Sequence, residues 1–517
     1  MAKTFLKKKN NAKSTITDNP LTSGATTCNV QTGDGAKFPD APFHATLYST
    51  DPASGEIVKI TAKSTDQFTI ERAKEGTTAQ EWPQETKIEL LITAQLLDDF
   101  QTRTEIIVAI DGSGDYNCDG TSDQTEINEA ISNLPAGGGI VHLKKGTYTI
   151  NGVVQALKSN VVIEGEGPAT IIKAADASNL NTLVQLGNGS TTAYSNIIVK
   201  NLLIDGNAAG QTTENSSPLV LYGASGYEIK RIIVENCHFT GARLDCLKMI
   251  YAEECVIKDN LFYSNTGTAI GLFSSSQYNS IHGNVSYSNG YFVYDNSCNY
   301  NSITSNVSRG DGYGFYLSNG WRESISGNIV SSPTSYSAYI IGAQRVTITG
   351  NHFYGGSWGI IVGNSSNATK YNSITGNTFA WQSSPAIALY VGSGGTGWNT
   401  VSGNTIYGPG THGIYIYGSS YNTINGNVID GASRTTTNTS TSIYLYNNGS
   451  VYSTYNIVTG NNCQASQTNK AAYHIRENSA GDDYNLIIGN VCKDAVTAQI
   501  SLQGINSVRG TNIPATG

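Results

Sequence analysis

An all-β solenoid, a parallel β-helix of about a dozen or more rungs, is the fold class this sequence predicts. Three observations predict it. Near-copies of one segment recur: YNSIHGNVS from Tyr278, YNSITSNVS from Tyr300, YNSITGNTF from Tyr371, WNTVSGNTI from Trp398 and YNTINGNVI from Tyr421. The Asn that closes each copy returns at Asn201, Asn236, Asn260, Asn284, Asn306, Asn328, Asn351, Asn377, Asn404, Asn427, Asn461 and Asn490, and three residues before every one stands Ile or Val. Composition points the same way: Gly 56 and Tyr 30 stand against Met 2, and only 14% of residues are charged. Such units cannot bury an apolar face until a neighbour stacks on it. Their alternation, as in HGIYIYGSS, is that of short strands rather than helices. One unit therefore makes one rung, with Ile inward and the Gly-Asn pair at a bend, where Asn tolerates left-handed backbone and its amide bonds the next Asn.

The chain reads from its N-terminus as follows. Residues 1–20 are expected to be a flexible basic arm carrying Lys7, Lys8 and Lys9. That start lacks the apolar stretch of a secretory signal, so cytoplasmic synthesis is expected. Residues 21–103 form a β-rich domain, because SGEIVKITAKSTDQFTIERAKEGTTAQEW alternates β-branched and polar residues. LITAQLLDDFQTRTE, residues 91–105, reads as a short connecting helix. From Asp119, DGTSDQTEINEAISNLPAGGG places Ile127, Ala130, Ile131 and Leu134 on one helical face. Asp123 with Glu126 suggests a capping box, and the helix would close the open end of a solenoid over 104–500. Residues 501–517 are left as a tail. Net charge −8 argues against a nucleic-acid partner, and no apolar run is long enough for membrane insertion. The eight cysteines contain no CxxC pair and are expected as small buried thiols.

The order DGTSDQTEINEAI, GGGIVHLKKGTYTI and NVVIEGEG resembles the start of pectate-lyase-superfamily β-helix proteins, which include many bacteriophage tailspikes. The likeness covers about residues 105 to 500 and implies a right-handed coil. Residues Glu56, Arg72, Glu75, Gly76, Thr77, Thr78, Ala79 and Trp82 resemble a segment common in phage tail and fibre proteins. The two resemblances imply a virion protein, a homotrimer, attached to a phage tail or baseplate protein through residues 1–103. Its partner would be a host surface polysaccharide, bound and in one reading depolymerised; the alternative is a non-enzymatic receptor-binding or structural fibre on tail or capsid.

The resemblance transfers no catalytic residue: the Asn-Thr-Asp and Arg-Ile-Lys signatures of polygalacturonases and the Asp-Pro-His of mannuronan epimerases are absent. Polysaccharide cleavage needs paired carboxylates or a base with a charge neutraliser. Carboxylates cluster from Asp205 to Glu323 and then stop until Asp430, so Asp245, Asp295, Asp311 and Glu323 are the catalytic candidates. Six residues before the marks, Tyr278, Tyr300, Arg322, Arg345, Tyr371, Trp398, Tyr421, Tyr455 and Tyr484 form a column suited to stacking on sugars, with Trp321 beside it; Trp358, Trp381, Tyr415 and Tyr417 are further exposed candidates. The rival reading of the column is a ladder that only stabilises stacked strands or a subunit interface. No metal or other cofactor is expected, although Asp115, Asn117, Asp119, Gly120 and Glu126 stand at positions 1, 3, 5, 6 and 12 of a calcium-loop pattern.

Overall fold

The computed structural model describes residues 9, 11–93, 104–212, 217–363, 366–392, 394–447 and 449–515. Its chain divides into two units, Met1–Arg103 and Thr104–Gly517.

The smaller unit is a six-stranded antiparallel sheet in the order Lys13–Thr15, Lys87–Glu89, Phe43–Tyr48, Glu56–Ser64, Gln67–Lys74 and Thr27–Asn29. Alternation along Phe43–Tyr48 and Gln67–Lys74 turns Phe43, Phe68 and Ile70 into one core with Phe38, where the three rings pack at 5.1 to 5.8 Å. Lys13–Thr15 belongs to this sheet and Ile16 is buried, which corrects the expected flexible arm: packed chain begins before residue 20. Residues 94–103 of the expected connecting helix lie outside the described residues, and 91–93 are not helical.

The motif residues of this unit form a lock. Glu56 is fully buried and accepts from Arg72 Nε (2.7 Å), Arg72 Nη2 (2.6 Å), Ala73 N (3.0 Å) and Trp82 Nε1 (3.0 Å). Burial would raise its pKa, but the hydrogen bonds from Arg72, Trp82 and Ala73 outweigh it and hold the carboxyl below its usual value.

The larger unit is the β-helix. Each turn contributes one strand to each of three parallel sheets. The first runs from Glu105–Ala109 to Val508–Arg509, the second has 15 strands and the third 14. Register is one rung per neighbour: Ile303 pairs with Ile325, Phe353 with Phe379 and Leu317 with Ile340. The inward column of the first sheet is Ile257, Ile281, Ile303, Ile325, Ile348, Ile374, Val401, Ile424, Val458 and Ile487, all buried. The second sheet stacks Phe239 on Phe262 at 4.8 Å and Phe353 on Phe379 at 5.1 Å.

Two marks in the repeat are displaced. Ile198 and Ile233 are half-buried and face outward, while Val199 and Val234 fill the column, in register with Ile257. In these rungs Leu202 and Cys237 stand where Asn260 stands, and Asn201 and Asn236 occupy the preceding corner with φ of 57° and 51°. The sequence pattern is shifted by one residue, which in a strand reverses the face.

The bend also differs from expectation. Left-handed backbone belongs to the Gly of each Gly-Asn pair, as at Gly350 and Gly376 (φ 63° and 65°), not to the Asn. The Asn turns inward and builds a ladder. Asn351 Oδ1 accepts from Asn328 N and Nδ2 (both 2.9 Å), and Asn351 Nδ2 donates to Asn377 Oδ1 (2.9 Å) and Ile325 O (2.9 Å). The ladder runs from Asn260 to Asn512, so the expected tail continues the coil: Val508–Arg509 and Ile513–Ala515 are its last strands. A second ladder, missed in the sequence although written in every YNS, links Asn279 to Asn301 and later Asn372, Asn399, Asn422, Asn456 and Asn485.

The helix Gln124–Asn133 packs Ile127, Ala130 and Ile131 as expected. The capping box does not form. Asp123 is buried, and its carboxylate accepts from Gly120 N and Thr149 N instead of the helix N-terminus. All eight cysteines are free and buried.

Candidate functional site

Each sheet shows solvent one side of its strands, and the three outward faces differ. The first is hydroxylic, with Ser302, Ser324, Thr347, Ser373 and Thr400 in one row. The second carries an apolar row, Leu261, Val285, Val307 and Ile329, around a shallow depression of about 560 Å³ at Val285, Tyr287, Val307 and Arg309. The third is aromatic.

On the third sheet, alternation sends Phe315 and Leu317 inward and Tyr316 outward, while the buried Gly314 breaks the alternation and leaves Tyr313 half-buried on the outer side; neighbouring rungs repeat the pattern. One outward row is Tyr291, Tyr313, Tyr336 and Trp358; the next is Tyr294, Tyr316 and Tyr339. Beyond Ile361 and Ala388 the rings resume with Tyr390, Tyr415, Tyr417, Tyr444 and Tyr446, ending on Arg476. Every one of these rings is half-buried. Their planes are mixed: Tyr316 meets Tyr339 edge-on at 83°, and Tyr390 meets Tyr415 at 77°. Other neighbours lie closer to parallel, Tyr291 on Tyr313 at 13° and Tyr417 on Tyr446 at 18°. Burial among its neighbours pushes the Tyr316 phenol up to about 12, so its hydroxyl stays a protonated donor at neutral pH.

His412, from the connection 408–413, stacks on Tyr415 at 5.0 Å and lies 4.9 Å from Tyr444. Burial lowers its pKa to about 4, so the imidazole is neutral and Nδ1 accepts from Thr441 N (3.0 Å). At the other end of the face Asp245 lies against Gly271, with Lys248 Nζ at 3.8 Å. Burial raises the Asp245 pKa and Lys248 opposes the rise. A depression of about 240 Å³ lined by Gln185, Val220, Leu244 and Lys248 adjoins it.

The other three catalytic candidates are inside the coil. Asp295 stands in the inward column between Leu272 and Leu317. Asp311 closes a third amide ladder, taking Asn289 N and Nδ2 on Oδ1 and Ser308 Oγ on Oδ2. Glu323 takes an Asn position in the second ladder and accepts from Asn301 N (3.0 Å). With relative exposures of 0%, 0% and 1%, none presents a face to a saccharide. Ala242 holds the position equivalent to Asp311, since its N donates to Asn265 as that of Asn265 does to Asn289.

Asp295 and Glu323 share the Asn301 amide, whose Nδ2 donates to Asp295 Oδ2 (3.2 Å) and Glu323 Oε1 (3.5 Å). Burial pushes Asp295 up to about 7, and burial with the Asp295 charge raises Glu323. The folded state thus holds protons that the unfolded chain releases near pH 4. This contribution to stability is complete below about pH 4 and is lost as pH rises to about 7. Asp295→Asn should flatten the profile, gaining about 2–4 kcal/mol at pH 8 relative to pH 4. Denaturant unfolding at the two pH values measures it.

The aromatic column of the sequence exists and sits at the corner between the third and first sheets. Tyr278 stacks on Tyr300 at 4.9 Å, Trp398 on Tyr421 at 4.8 Å, Tyr421 on Tyr455 at 5.1 Å and Tyr455 on Tyr484 at 5.0 Å. Arg322 lies over Tyr300, and Arg345 over both Trp321 and Tyr371. All nine corner residues have left-handed backbone, from Trp398 at 52° to Tyr421 at 62°. The corner continues downward through Asn160, Asn196, Arg231 and Glu254, joined by Asn196 Nδ2 to Asn160 Oδ1 and by Arg231 to Asn196 and Glu254. Most neighbouring rings are near-parallel and cover part of one another's faces. They remain among the most exposed aromatics of the described residues, Tyr278 and Tyr371 at 50% and Tyr484 at 52%. Of the additional candidates, Trp358, Tyr415 and Tyr417 are on the third face, while Trp381 pairs with Tyr407 and Arg434. On the first rungs His142 lies between Glu164 (3.1 Å) and Glu166 (3.5 Å) near Glu105, a donor set of the kind that holds a divalent cation, with Lys200 on Glu164 at 2.9 Å.

Two family models match. The right-handed β-helix region matches residues 277–429 and 313–480, and rhamnogalacturonase A/epimerase, pectate lyase-like, matches residues 113–316. Among solved structures, the chain is similar to the tailspike protein of E. coli bacteriophage HK620 in complex with pentasaccharide. Identity is 12%, TM-score 0.56, and the match covers 81% of this chain and 82% of that one. It is also similar to PfbA, a surface adhesin of Streptococcus pneumoniae, with 15% identity, TM-score 0.49, and 67% and 93% covered. The A-module of mannuronan C-5 epimerase AlgE6 of Azotobacter vinelandii matches with 19% identity, TM-score 0.46, and 77% and 97% covered. No curated protein sequence matches the chain.

Proposed function

Since the chain is a pectate-lyase-like right-handed parallel β-helix protein, a scaffold that fixes no chemistry by itself, we propose that it binds a cell-surface polysaccharide along the aromatic face of its third sheet. The observation that carries this reading is the face of half-buried tyrosines from Tyr291 to Tyr446, interrupted in one row at Ile361 and Ala388, with ring planes mixed. Apolar ring faces beside fixed hydrogen-bond donors suit the two sides of a pyranose. In this reading the protein acts as a tailspike-like virion protein, the smaller unit joins it to a phage tail or baseplate, and the apolar row Leu261, Val285, Val307 and Ile329 supports side-by-side packing in a homotrimer.

Binding without cleavage is the form supported best. No outward strand position of the third face from Tyr291 to Arg476 carries a carboxylate, and Asp245 stands alone beside it. Glycoside hydrolysis uses two carboxyls about 5–9.5 Å apart.

Tyr316→Ala and Tyr415→Ala should each weaken binding to a host capsule or lipopolysaccharide about tenfold, the worth of one lost ring contact. Titration calorimetry reads the affinity, and size-exclusion of the glycan reads its length. Undiminished affinity in both variants would move the site elsewhere, and shortened chains would replace binding by depolymerisation.

A further inference from the structure

The carboxylate-free stretch between Glu323 and Asp430 still carries Arg345 and Lys370, so it is locally cationic in a chain of net charge −8. The fold gathers these two with Arg322 at the corner between the third and first sheets. Arg322 lies 5.4 Å from the Tyr300 ring centroid and 5.2 Å from Trp321. Arg345 lies 4.8 Å from Trp321, and Lys370 Nζ 4.8 Å from Trp398. Arg322 and Arg345 hold equivalent corner positions on adjacent rungs, so their guanidinium groups repeat about every 4.8 Å along the axis. Arg345 N donates to Lys370 O at 3.1 Å, which places Lys370 on the rung after it.

No carboxylate among the described residues pairs with Arg322, Arg345 or Lys370. The nearest in sequence, Glu323, is turned into the coil by the second ladder. Arg322 Nη1 donates to the Tyr300 hydroxyl (2.5 Å), which fixes its guanidinium and leaves its other N–H groups, with those of Arg345, for a planar anion. Structural stacking alone would be met by Tyr, as it is in the rungs on either side. Two consecutive arginines, a lysine and no counter-charge together present an unneutralised strip on a face lined by Trp321 and Trp398.

We propose that this corner strip recognises anionic groups spaced along a glycan, carboxylates or phosphates, and so selects an acidic polysaccharide. The inference rests on the polysaccharide-binding reading and names the charge class of its ligand. The Tyr face supplies apolar contact, and the strip supplies discrimination by charge.

The test uses the full chain with three oligosaccharide probes: a polyuronate, its carboxyl-reduced neutral form, and a phosphodiester-linked glycan. Calorimetry and Trp fluorescence read binding at about 0.05 M and 0.5 M salt. The polyuronate or the phosphodiester glycan should bind at least tenfold more tightly than the neutral form at low salt, and the preferred probe names the anion. The double variant Arg322→Gln, Arg345→Gln should remove the preference and its salt dependence while leaving the neutral probe unchanged. Arg322→Lys, Arg345→Lys should keep the salt dependence and lose part of the affinity. Unaltered thermal unfolding of the variants shows that the corner still stacks. Equal binding of acidic and neutral probes, or an acidic preference that survives the Gln variant, overturns this inference and leaves the Tyr-face reading standing. Failure of all three probes together with failure of host polysaccharides removes both.

Discussion

Asn351→Ala should cost the β-helix about 4–6 kcal/mol. The side chain removed is not a surface amide but the middle of a continuous internal row. Its Oδ1 accepts Asn328 N and Nδ2, and its Nδ2 supplies Asn377 Oδ1 and Ile325 O. Alanine leaves at least two of these groups buried without a partner, at about 1–3 kcal/mol each, and opens a void that its neighbours at 0–2% exposure do not readily refill. Because amides along the row polarise one another, the loss should exceed that of a single buried Asn bond. Denaturant unfolding followed by circular dichroism measures it, with Thr349→Ala on the hydroxylic face as the comparison, expected within about 0.5 kcal/mol. A loss under about 1 kcal/mol for Asn351→Ala would mean that the main-chain bonds of the rungs alone hold the coil.

Glu56→Ala should destabilise the smaller unit by about 3–5 kcal/mol, enough to unfold it separately from the β-helix. The change strips one carboxylate from five donors at once and leaves the Arg72 guanidinium, whose side chain is only 9% exposed, with the Thr22 and Gln80 carbonyls but no counter-charge. Removing one member of a buried pair is far more damaging than replacing both by apolar residues. Glu56→Gln keeps one acceptor and should fall between the two. Calorimetry should show the transition of the β-helix unmoved and an earlier one lost. A single unchanged trace would show that Arg72 finds another partner.

Much of this molecule is legible in the repeat. A β-branched residue three before each Asn dictates an inward column because a strand turns alternate side chains to opposite faces. Where the chain slips by one, at Ile198 and Ile233, the pattern by itself gives the wrong face. The neighbours correct it, since Val199 and Val234 are the residues in register with Ile257. The corner column from Tyr278 to Tyr484 is equally visible, because equal spacing on successive rungs means contact. What spacing does not reveal is the tilt of each ring: Tyr421 and Tyr455 lie at 2° on the corner, while Tyr316 meets Tyr339 at 83° on the third face.

By itself, then, the sequence determined the coil, its inward Ile stack, the helix that covers its start and the residues of the corner. These follow from period and local propensity. Only the tertiary structure decided what the acids do: Asp295, Asp311 and Glu323 look like catalytic carboxylates in one dimension and lie sealed in the core in three. A charge is read from the sequence letter, but its accessibility depends on which rung lies above it and which amide lies beside it. The Tyr face emerged for the same reason. Its members are separated by whole turns of the chain, and only the stacking of those turns makes them one surface.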